Sequence, residues 1–364
     1  MADDATIEAL AVAVAAHVPV LLWGAPGTGK SSVVRALADD LALPCEVVIA
    51  SIREPSDFAG LPIVADGVVR FAPPAWAQRL AGSGHGILFL DEISTAPPAV
   101  QAALLRVVLE RVVGDLVLPD AVAVIAAANP PDQTADGWDL SAPLANRFCH
   151  LQWHVSARTV AEGLTAGFGR PGAKPLRATA DADAVRARAL VSAFLIARPP
   201  LVCLPPTEVA AAGGAWPSPR TWEMAATLWG AASTSSASPS ARSALVRGAV
   251  GDGPGAEFLA WVDEMDLPDP EAVLADPTSF TLPSRPDRAY AFLSAVAGAV
   301  AARATPERWA AGWRVLGTAA ADVPDVAAAA ARILARCRPS GAKAPAEMQV
   351  FLPILRAAGL LEDE

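Results

Sequence analysis

The chain has 364 residues, of which 53% are hydrophobic and 18% are charged, and its formal net charge is -10. This length predicts two or three domains with a sizeable buried core, which excludes a disordered segment or a miniature scaffold. The acidic balance argues against a protein whose main task is to wrap duplex nucleic acid, because phosphate neutralisation requires a basic face.

The sequence predicts a cytoplasmic protein. No unbroken apolar stretch reaches the roughly 20 residues needed to cross a bilayer. The first residues, Met1-Ala2-Asp3-Asp4, are acidic where a signal peptide is basic. The cysteines lie far apart, without metal-ligand spacing, which is typical of free thiols in a reducing compartment. They are Cys45, Cys149, Cys203 and Cys337.

Short apolar runs alternate with amphipathic segments over the first 155 residues, and this pattern predicts an α/β fold with a parallel sheet covered by helices. The five predicted strands are Val18 to Trp23, Glu46 to Ala50, Gly86 to Leu90, Ala121 to Ala127 and Cys149 to Trp153. The predicted helices of this part are Asp4 to Ala16, Lys30 to Leu41, Pro74 to Ala81, Pro98 to Glu110 and Ala142 to Asn146.

Ala-rich helical periodicity replaces the strand pattern beyond residue 155. Many of the predicted helices open with Ser, Thr, Asp or Pro, which are typical of helix N-termini. They are Asp181 to Ala197, Arg220 to Ala232, Ala256 to Met265, Pro286 to Ala302, Pro306 to Ala319 and Asp325 to Arg336. The composition of Gly167 to Pro175 and of Ser233 to Ser240 predicts loops.

A phosphate-binding loop follows the first predicted strand. The segment from Gly24 to Ser31 fits the pattern G-x-x-x-x-G-K-[ST] in full and opens a predicted helix. In such a loop, successive N–H groups surround a phosphate, the lysine reaches the β and γ oxygens, and the hydroxyl binds Mg²⁺. The predicted nucleotide-binding residues are Gly24, Ala25, Pro26, Gly27, Thr28, Gly29, Lys30, Ser31 and Ser32.

Polar side chains end two further strands. Asp91 and Glu92 follow an apolar run, and at the carboxyl edge of a sheet Asp91 is predicted to hold Mg²⁺ together with Ser31, while Glu92 deprotonates a water molecule. Asn129 follows another strand, where its amide could contact the γ-phosphate or that water. Together these residues predict hydrolysis of Mg²⁺-ATP.

These motifs resemble those of AAA+ ATPases, and within them the MoxR-like group near the dynein-related and chelatase branch. The resemblance covers roughly residues 8 to 232, with Gly24 to Ser31 as Walker A, Leu88 to Glu92 as Walker B and Asn129 as sensor 1. Ser56 to Phe71 resembles the hairpin inserted into helix 2, and Glu110 to Pro119 resembles the hairpin before sensor 1.

The resemblance implies roles for two arginines and a serine. Arg147 matches the arginine finger, which serves the nucleotide of a neighbouring subunit, and Arg220 matches sensor 2, at the start of a lid helix that folds over the phosphates. Ser51 lies where related ATPases place a polar residue that restrains the catalytic glutamate. A serine in a solvent-facing turn is the alternative.

The fold that the resemblance implies is a P-loop AAA+ αβα core with a five-stranded parallel sheet, an all-α lid and a helical C-terminal extension. We assign these to residues 1–155, 156–235 and 236–364. The implied function is a ring, commonly of six subunits, that remodels a partner protein, such as one with a von Willebrand factor A domain. The alternatives are the motor subunit of a metal chelatase, a nucleotide-gated scaffold with negligible turnover and, least favoured, a nucleic-acid motor.

Overall fold

The computed structural model of the chain describes residues 4–130, 140–173, 175–208 and 212–360. In the first part of the chain, helices and strands follow one another in this order: α1 (Asp4–Ala15), β1 (Val20–Trp23), α2 (Lys30–Asp40), β2 (Cys45–Ile49), α3 (Ser56–Ala59), β3 (Leu61–Ala65), β4 (Val68–Ala72), α4 (Ala75–Ser83), β5 (Gly86–Asp91), α5 (Pro98–Glu110), β6 (Val112–Val113), β7 (Leu116–Val117), β8 (Val122–Ala128), α6 (Ala142–Ala145), β9 (Cys149–Gln152) and α7 (Ala157–Ala166).

The rest of the chain is helical in its described residues, and its α-helices are α8 (Asp181–Ala197), α9 (Pro219–Thr234), α10 (Pro239–Val250), α11 (Asp252–Asp263), α12 (Pro270–Ala275), α13 (Pro286–Ala302), α14 (Pro306–Ala320), α15 (Pro324–Arg336) and α16 (Leu352–Ala357). Within the described ranges, none of these or the earlier helices combines the length and apolarity needed to span a bilayer.

The chain forms two compact units. One comprises Met1–Ala178 with Leu201–Ala256, and the other comprises Thr179–Pro200 with Glu257–Glu364. These boundaries differ from the division at residues 155 and 235, because α8 belongs to the second unit and α10 to the first. The functional division into core, lid and extension stays a prediction.

The first unit is built on the predicted five-stranded parallel sheet, in the order β2-β5-β8-β1-β9. All seven residues of β8, the central strand, are buried, as expected of a parallel strand covered on both faces. Trp23 at the end of β1 pairs with Ala128 at the end of β8, and Ile49 of β2 pairs with Asp91 of β5. The residues that follow these strands therefore meet at one edge of the sheet.

Both predicted hairpins are present. Strands β3 and β4 are joined by Asp66 and Gly67, whose φ values of 55° and 77° suit a tight two-residue turn. Strands β6 and β7 form the second, shorter hairpin. The hairpins contact each other, since Asp115 donates its N–H to the Phe71 carbonyl at 3.0 Å and accepts the Phe71 N–H at 2.9 Å.

Proline and small polar residues set the starts of the later helices. Six of them, α9, α10, α12, α13, α14 and α15, begin with proline, whose fixed φ suits the first helical position. Ser218 and Thr221 form a reciprocal capping box at the start of α9. The predicted loop Ser233 to Ser240 is shorter in the structure, because α9 extends to Thr234 and Ser238 caps α10.

In the second unit, Trp309 and Trp313 are fully buried in the core.

Candidate active site

The phosphate loop connects β1 to α2 at the carboxyl edge of the sheet. Gly27 and Gly29 have φ values of 76° and 84°, and a Cβ atom at either would meet no atom within 4 Å, so the loop faces open space. Gly24 is different, because its Cβ would lie 2.8 Å from the Trp153 carbonyl oxygen. The loop leads directly into the N-terminus of α2, and the first N–H groups of a helix suit an anion.

Lys30 is the buried cation of the loop, with only 8% of its surface exposed. Its Nζ donates hydrogen bonds to the carbonyl oxygens of Gly24 and, at 3.0 Å, of Ala25. It also donates to Asn129 Oδ1 at 3.1 Å. Burial lowers the pKa of Lys30, while the negative charges of Asp91 and Glu92 oppose that shift. Lys30 thus joins the phosphate loop to Asn129, two of the three predicted motifs that follow strands.

Ser31 joins the phosphate loop to the remaining motif, Asp91 with Glu92. Its hydroxyl donates to Asp91 Oδ2 at 2.6 Å, across the space between α2 and the end of β5. A hydroxyl and a carboxylate at this separation are oxygen ligands of the kind that Mg²⁺ prefers. The two residues predicted to hold the metal are therefore in direct contact.

Glu92 follows Asp91 with a φ of 55°, a left-handed conformation that is uncommon for a residue other than glycine. Its N–H donates to Asp91 Oδ1 at 3.0 Å. Its Oε2 accepts a hydrogen bond from the Ser51 hydroxyl at 2.5 Å. Ser51 follows β2, the strand paired with β5, which places it opposite Glu92. Of the two alternatives for Ser51, the contact with the glutamate is the one observed.

Asn129 is positioned by Ser94, which the sequence did not single out. The Asn129 N–H donates to Ser94 Oγ at 3.2 Å, and Ser94 is 6% exposed. This leaves Asn129 Oδ1 directed to Lys30. Ser94 lies two residues after Glu92, so its place beside the motif was the only sequence signal for it. Trp153 was also missed, although its Nε1 donates to the Thr28 carbonyl of the loop at 3.2 Å.

The two predicted arginines are close enough for the charge of one to act on the other. Burial first, and then the positive charge of Arg220, lower the pKa of Arg147, and Glu110 opposes this shift. The Arg147 guanidinium donates to the Pro143 carbonyl through Nη1, while its buried Nε has no hydrogen-bond partner. Within the described residues, no hydrogen bond or ion pair links either arginine to the phosphate loop. The arginine-finger role of Arg147 and the sensor-2 role of Arg220 therefore stay predictions.

Comparison with known proteins finds the AAA domain of the dynein-related subfamily in residues 19–148. The chain is 31% identical over 126 residues to the pathogenicity-locus protein WtsA of Pantoea stewartii, covering 32% of this chain and 38% of WtsA. It is 34% identical over 108 residues to protein MoxR of Paracoccus denitrificans, covering 29% of this chain and 31% of MoxR. The matches thus span well under half the length of these relatives. A solved MCM homologue from Methanopyrus kandleri is 18% identical, with a TM-score of 0.40, covering 70% of this chain and 54% of that one.

Proposed function

This chain contains a MoxR-like AAA+ ATPase domain of the dynein-related subfamily, and on that premise we propose that it hydrolyses Mg²⁺-ATP in a ring of subunits, commonly six, to remodel a partner protein. The observation that carries the proposal is the joining of three strand-end motifs by two hydrogen bonds, Ser31 to Asp91 and Lys30 to Asn129. These bonds assemble phosphate-binding and hydrolytic side chains at one edge of the sheet.

The residues present fit Mg²⁺-ATP. Open space lies in front of Gly27 and Gly29, and the Lys30 ammonium is held at its border by loop carbonyls. Lys30 and the loop N–H groups would bind the phosphates, and Ser31 and Asp91 would hold the metal. Bound Mg²⁺ supplies positive charge against the phosphate oxygens.

Glu92 and Asn129 act on the attacking water in this proposal. Glu92 carries an exposed carboxylate at the edge of the sheet, where it accepts the proton of the water at its Oε atoms. Asn129, fixed by Ser94, orients the water or the terminal phosphate through its amide. The hydrogen bond from Ser51 restrains the Glu92 carboxylate, and Glu92 is released from this bond for catalysis.

Arg147 is proposed to serve the site of the neighbouring subunit, and Arg220 the phosphates of its own chain as sensor 2. The buried Nε of Arg147 has no hydrogen-bond partner, and an anion would accept a charge-assisted hydrogen bond from it. The terminal phosphate of a nucleotide on an adjacent subunit supplies that anion. This arrangement requires an oligomer, since Arg147 is not joined to the loop of its own chain.

The hairpin β3–β4 is the proposed contact for a protein substrate. Val64, Val68 and Val69 expose 78%, 59% and 58% of their surface on it, and exposed apolar patches mark interaction surfaces. A partner with a von Willebrand factor A domain is the proposed protein class, and a metal-chelatase subunit is the alternative.

The four cysteines are free thiols in the structure, which supports the cytoplasm as the proposed location.

The test measures ATP binding, turnover and assembly of three variants of the full chain. Lys30→Ala should abolish nucleotide binding, while Glu92→Gln should retain bound ATP and the ring but lose turnover. Lys343→Ala, an exposed lysine of the second unit, is the control for Lys30→Ala and should behave as the parent. A parent protein that binds ATP and assembles but does not hydrolyse it would instead support the scaffold. Affinity capture with Glu92→Gln and ATP then identifies the partner.

A further inference from the structure

A hydrogen-bond chain, buried at His150 and Asn146, runs from the end of β1 at the phosphate loop to the arginine-bearing segment within the first unit. It starts at Trp23, the residue before Gly24, whose Nε1 donates to His150 Nδ1 at 2.8 Å. The two rings are stacked, with centroids 6.1 Å apart and an interplanar angle of 20°. On its far side, His150 Nε2 lies 2.9 Å from the Ala145 carbonyl oxygen.

The geometry fixes the tautomer of His150. An indole N–H only donates, so Nδ1 must accept, and a carbonyl oxygen only accepts, so Nε2 must carry the proton. Histidine is suited to this place because one rigid ring accepts at one nitrogen and donates at the other. His150 is 6% exposed and Trp23 is half-buried, so bulk water has limited access to these bonds.

The chain continues into the segment that carries both arginines. Ala145 is followed by Asn146, which is buried and accepts the Ser218 hydroxyl at Oδ1, at 2.8 Å. Asn146 Nδ2 donates to the Trp216 carbonyl at 3.2 Å. Ser218 caps α9, whose second residue is Arg220. The hydrogen-bond chain thus begins at the residue before Gly24 of the phosphate loop. It passes Asn146, which precedes Arg147, and ends at Ser218, two residues before Arg220.

We propose that His150 is a positioning residue that ties the end of β1, beside the phosphate loop, to the segment that presents Arg147 to the neighbouring subunit. The positioning role rests on the proposed function, since it requires Arg147 to act on an adjacent site. The rigid ring fixes the Ala145 carbonyl, two residues before Arg147, relative to Trp23.

Two substitutions separate the two bonds. The amide of asparagine approximates the position of Nδ1, so His150→Asn keeps an acceptor for Trp23 and loses the bond to Ala145. The amide of glutamine approximates Nε2, so His150→Gln keeps a donor to Ala145 and loses the bond to Trp23. His85→Asn, at an exposed histidine in the turn before β5, is the matched control.

The test uses mixed rings of Arg147→Ala subunits, which supply the nucleotide site, and Lys30→Ala subunits, which supply Arg147. His150→Asn in the Lys30→Ala subunit should lower recovered kcat on the order of tenfold with KM for ATP unchanged, because a displaced catalytic group costs rate and not binding. The same substitution in the Arg147→Ala subunit gives the baseline for effects on folding and nucleotide binding, and there the loss should be smaller. His150→Gln in the Lys30→Ala subunit should retain more kcat than His150→Asn.

Equal losses in both subunit positions, or a loss confined to KM, would overturn the positioning role while leaving the shared site intact. Mixtures with no recovered turnover even without a change at His150 would refute the shared site itself. An independent measurement is the nitrogen spectrum of ¹⁵N-histidine-labelled protein, which has four histidines, assigned with His150→Asn. A neutral Nε2–H tautomer at pH 7 is expected, and an Nδ1–H tautomer would contradict the hydrogen-bond chain.

Discussion

Ser51 Oγ lies 2.5 Å from Glu92 Oε2 and donates a hydrogen bond to it, so the carboxylate proposed as the general base is held by the neighbouring strand end. The contact follows from the sheet register. Ile49 of β2 pairs with Asp91 of β5, and the two side chains come from residues just beyond this pair. A carboxylate engaged in this way has one fewer oxygen lone pair available for water.

Ser51→Ala is therefore expected to raise ATP turnover in the absence of a partner protein. A hydrogen bond to a charged group contributes about 1.5 kcal/mol, so its removal would increase the released population of Glu92 by up to about tenfold. Steady-state phosphate release measures this, with Ser51→Thr as the control that retains the hydroxyl. Turnover that falls in Ser51→Ala and is normal in Ser51→Thr would show instead that the contact is needed for catalysis.

Asp91→Asn should weaken the apparent affinity for Mg²⁺ and leave the fold intact. The asparagine carbonyl can still accept a hydrogen bond from the Ser31 hydroxyl, which lies 2.6 Å from Asp91 Oδ2. The substitution, however, removes the negative charge that attracts a divalent cation. We expect the Mg²⁺ concentration for half-maximal turnover to rise on the order of tenfold or more, in the range found for groups that support metal ligands. A titration of Mg²⁺ at saturating ATP checks this, and an unchanged midpoint would remove Asp91 from the metal site.

The positions of the strands and of the loop could be predicted because each depends on local sequence. An apolar run such as Val122–Ala128 can bury both faces only in a covered parallel sheet, and the spacing of Gly24, Gly29 and Lys30 specifies its own turn. The hairpin turn at Asp66-Gly67 was predictable for the same reason.

The remaining contacts depend on which strands are neighbours, and this information is not local. Ser51 could have faced solvent until β2 was found beside β5. His150 and Trp23 are far apart in sequence and meet because β9 pairs with β1. The predicted loop over Ser233 to Ser240 was too long because serine and proline favour turns and helix starts alike, and the Ser238-Pro239 pair is a helix start.

Gly114→Ala should destabilise the protein more than Gly67→Ala. Both glycines have positive φ, 60° and 77°, so alanine at either carries the left-handed strain of about 1 kcal/mol. At Gly114 an added Cβ would also lie 2.5 Å from the Phe71 carbonyl oxygen, whereas at Gly67 it meets nothing within 4 Å. The difference in unfolding free energy between the two variants, measured by urea denaturation, isolates the close approach of the hairpins. Equal losses would mean that the hairpins separate without cost.

The buried His150 should make the protein less stable in mild acid. Burial lowers the pKa of His150 from 6.5 to about 4, although the hydrogen bond to Ala145 opposes the shift. Between these values the unfolded chain binds a proton that the folded chain excludes, so the free energy of unfolding falls as the pH drops below 6.5. The full shift corresponds to about 3 kcal/mol, of which about 2 kcal/mol is lost by pH 5.

His150→Gln isolates this contribution, because it removes the titrating ring and retains an amide donor near Ala145. Urea unfolding of both proteins at pH 7.5, 6, 5 and 4.5 gives the difference in free energy of unfolding at each pH, from which the other titrating groups cancel. At pH 7.5 the variant is expected to be the less stable protein, since it loses the stacked ring and the bond to Trp23. That difference should shrink by about 2 kcal/mol at pH 5. A difference that does not vary with pH would mean that His150 has the same pKa in the folded and the unfolded protein, so that folding does not exclude its proton.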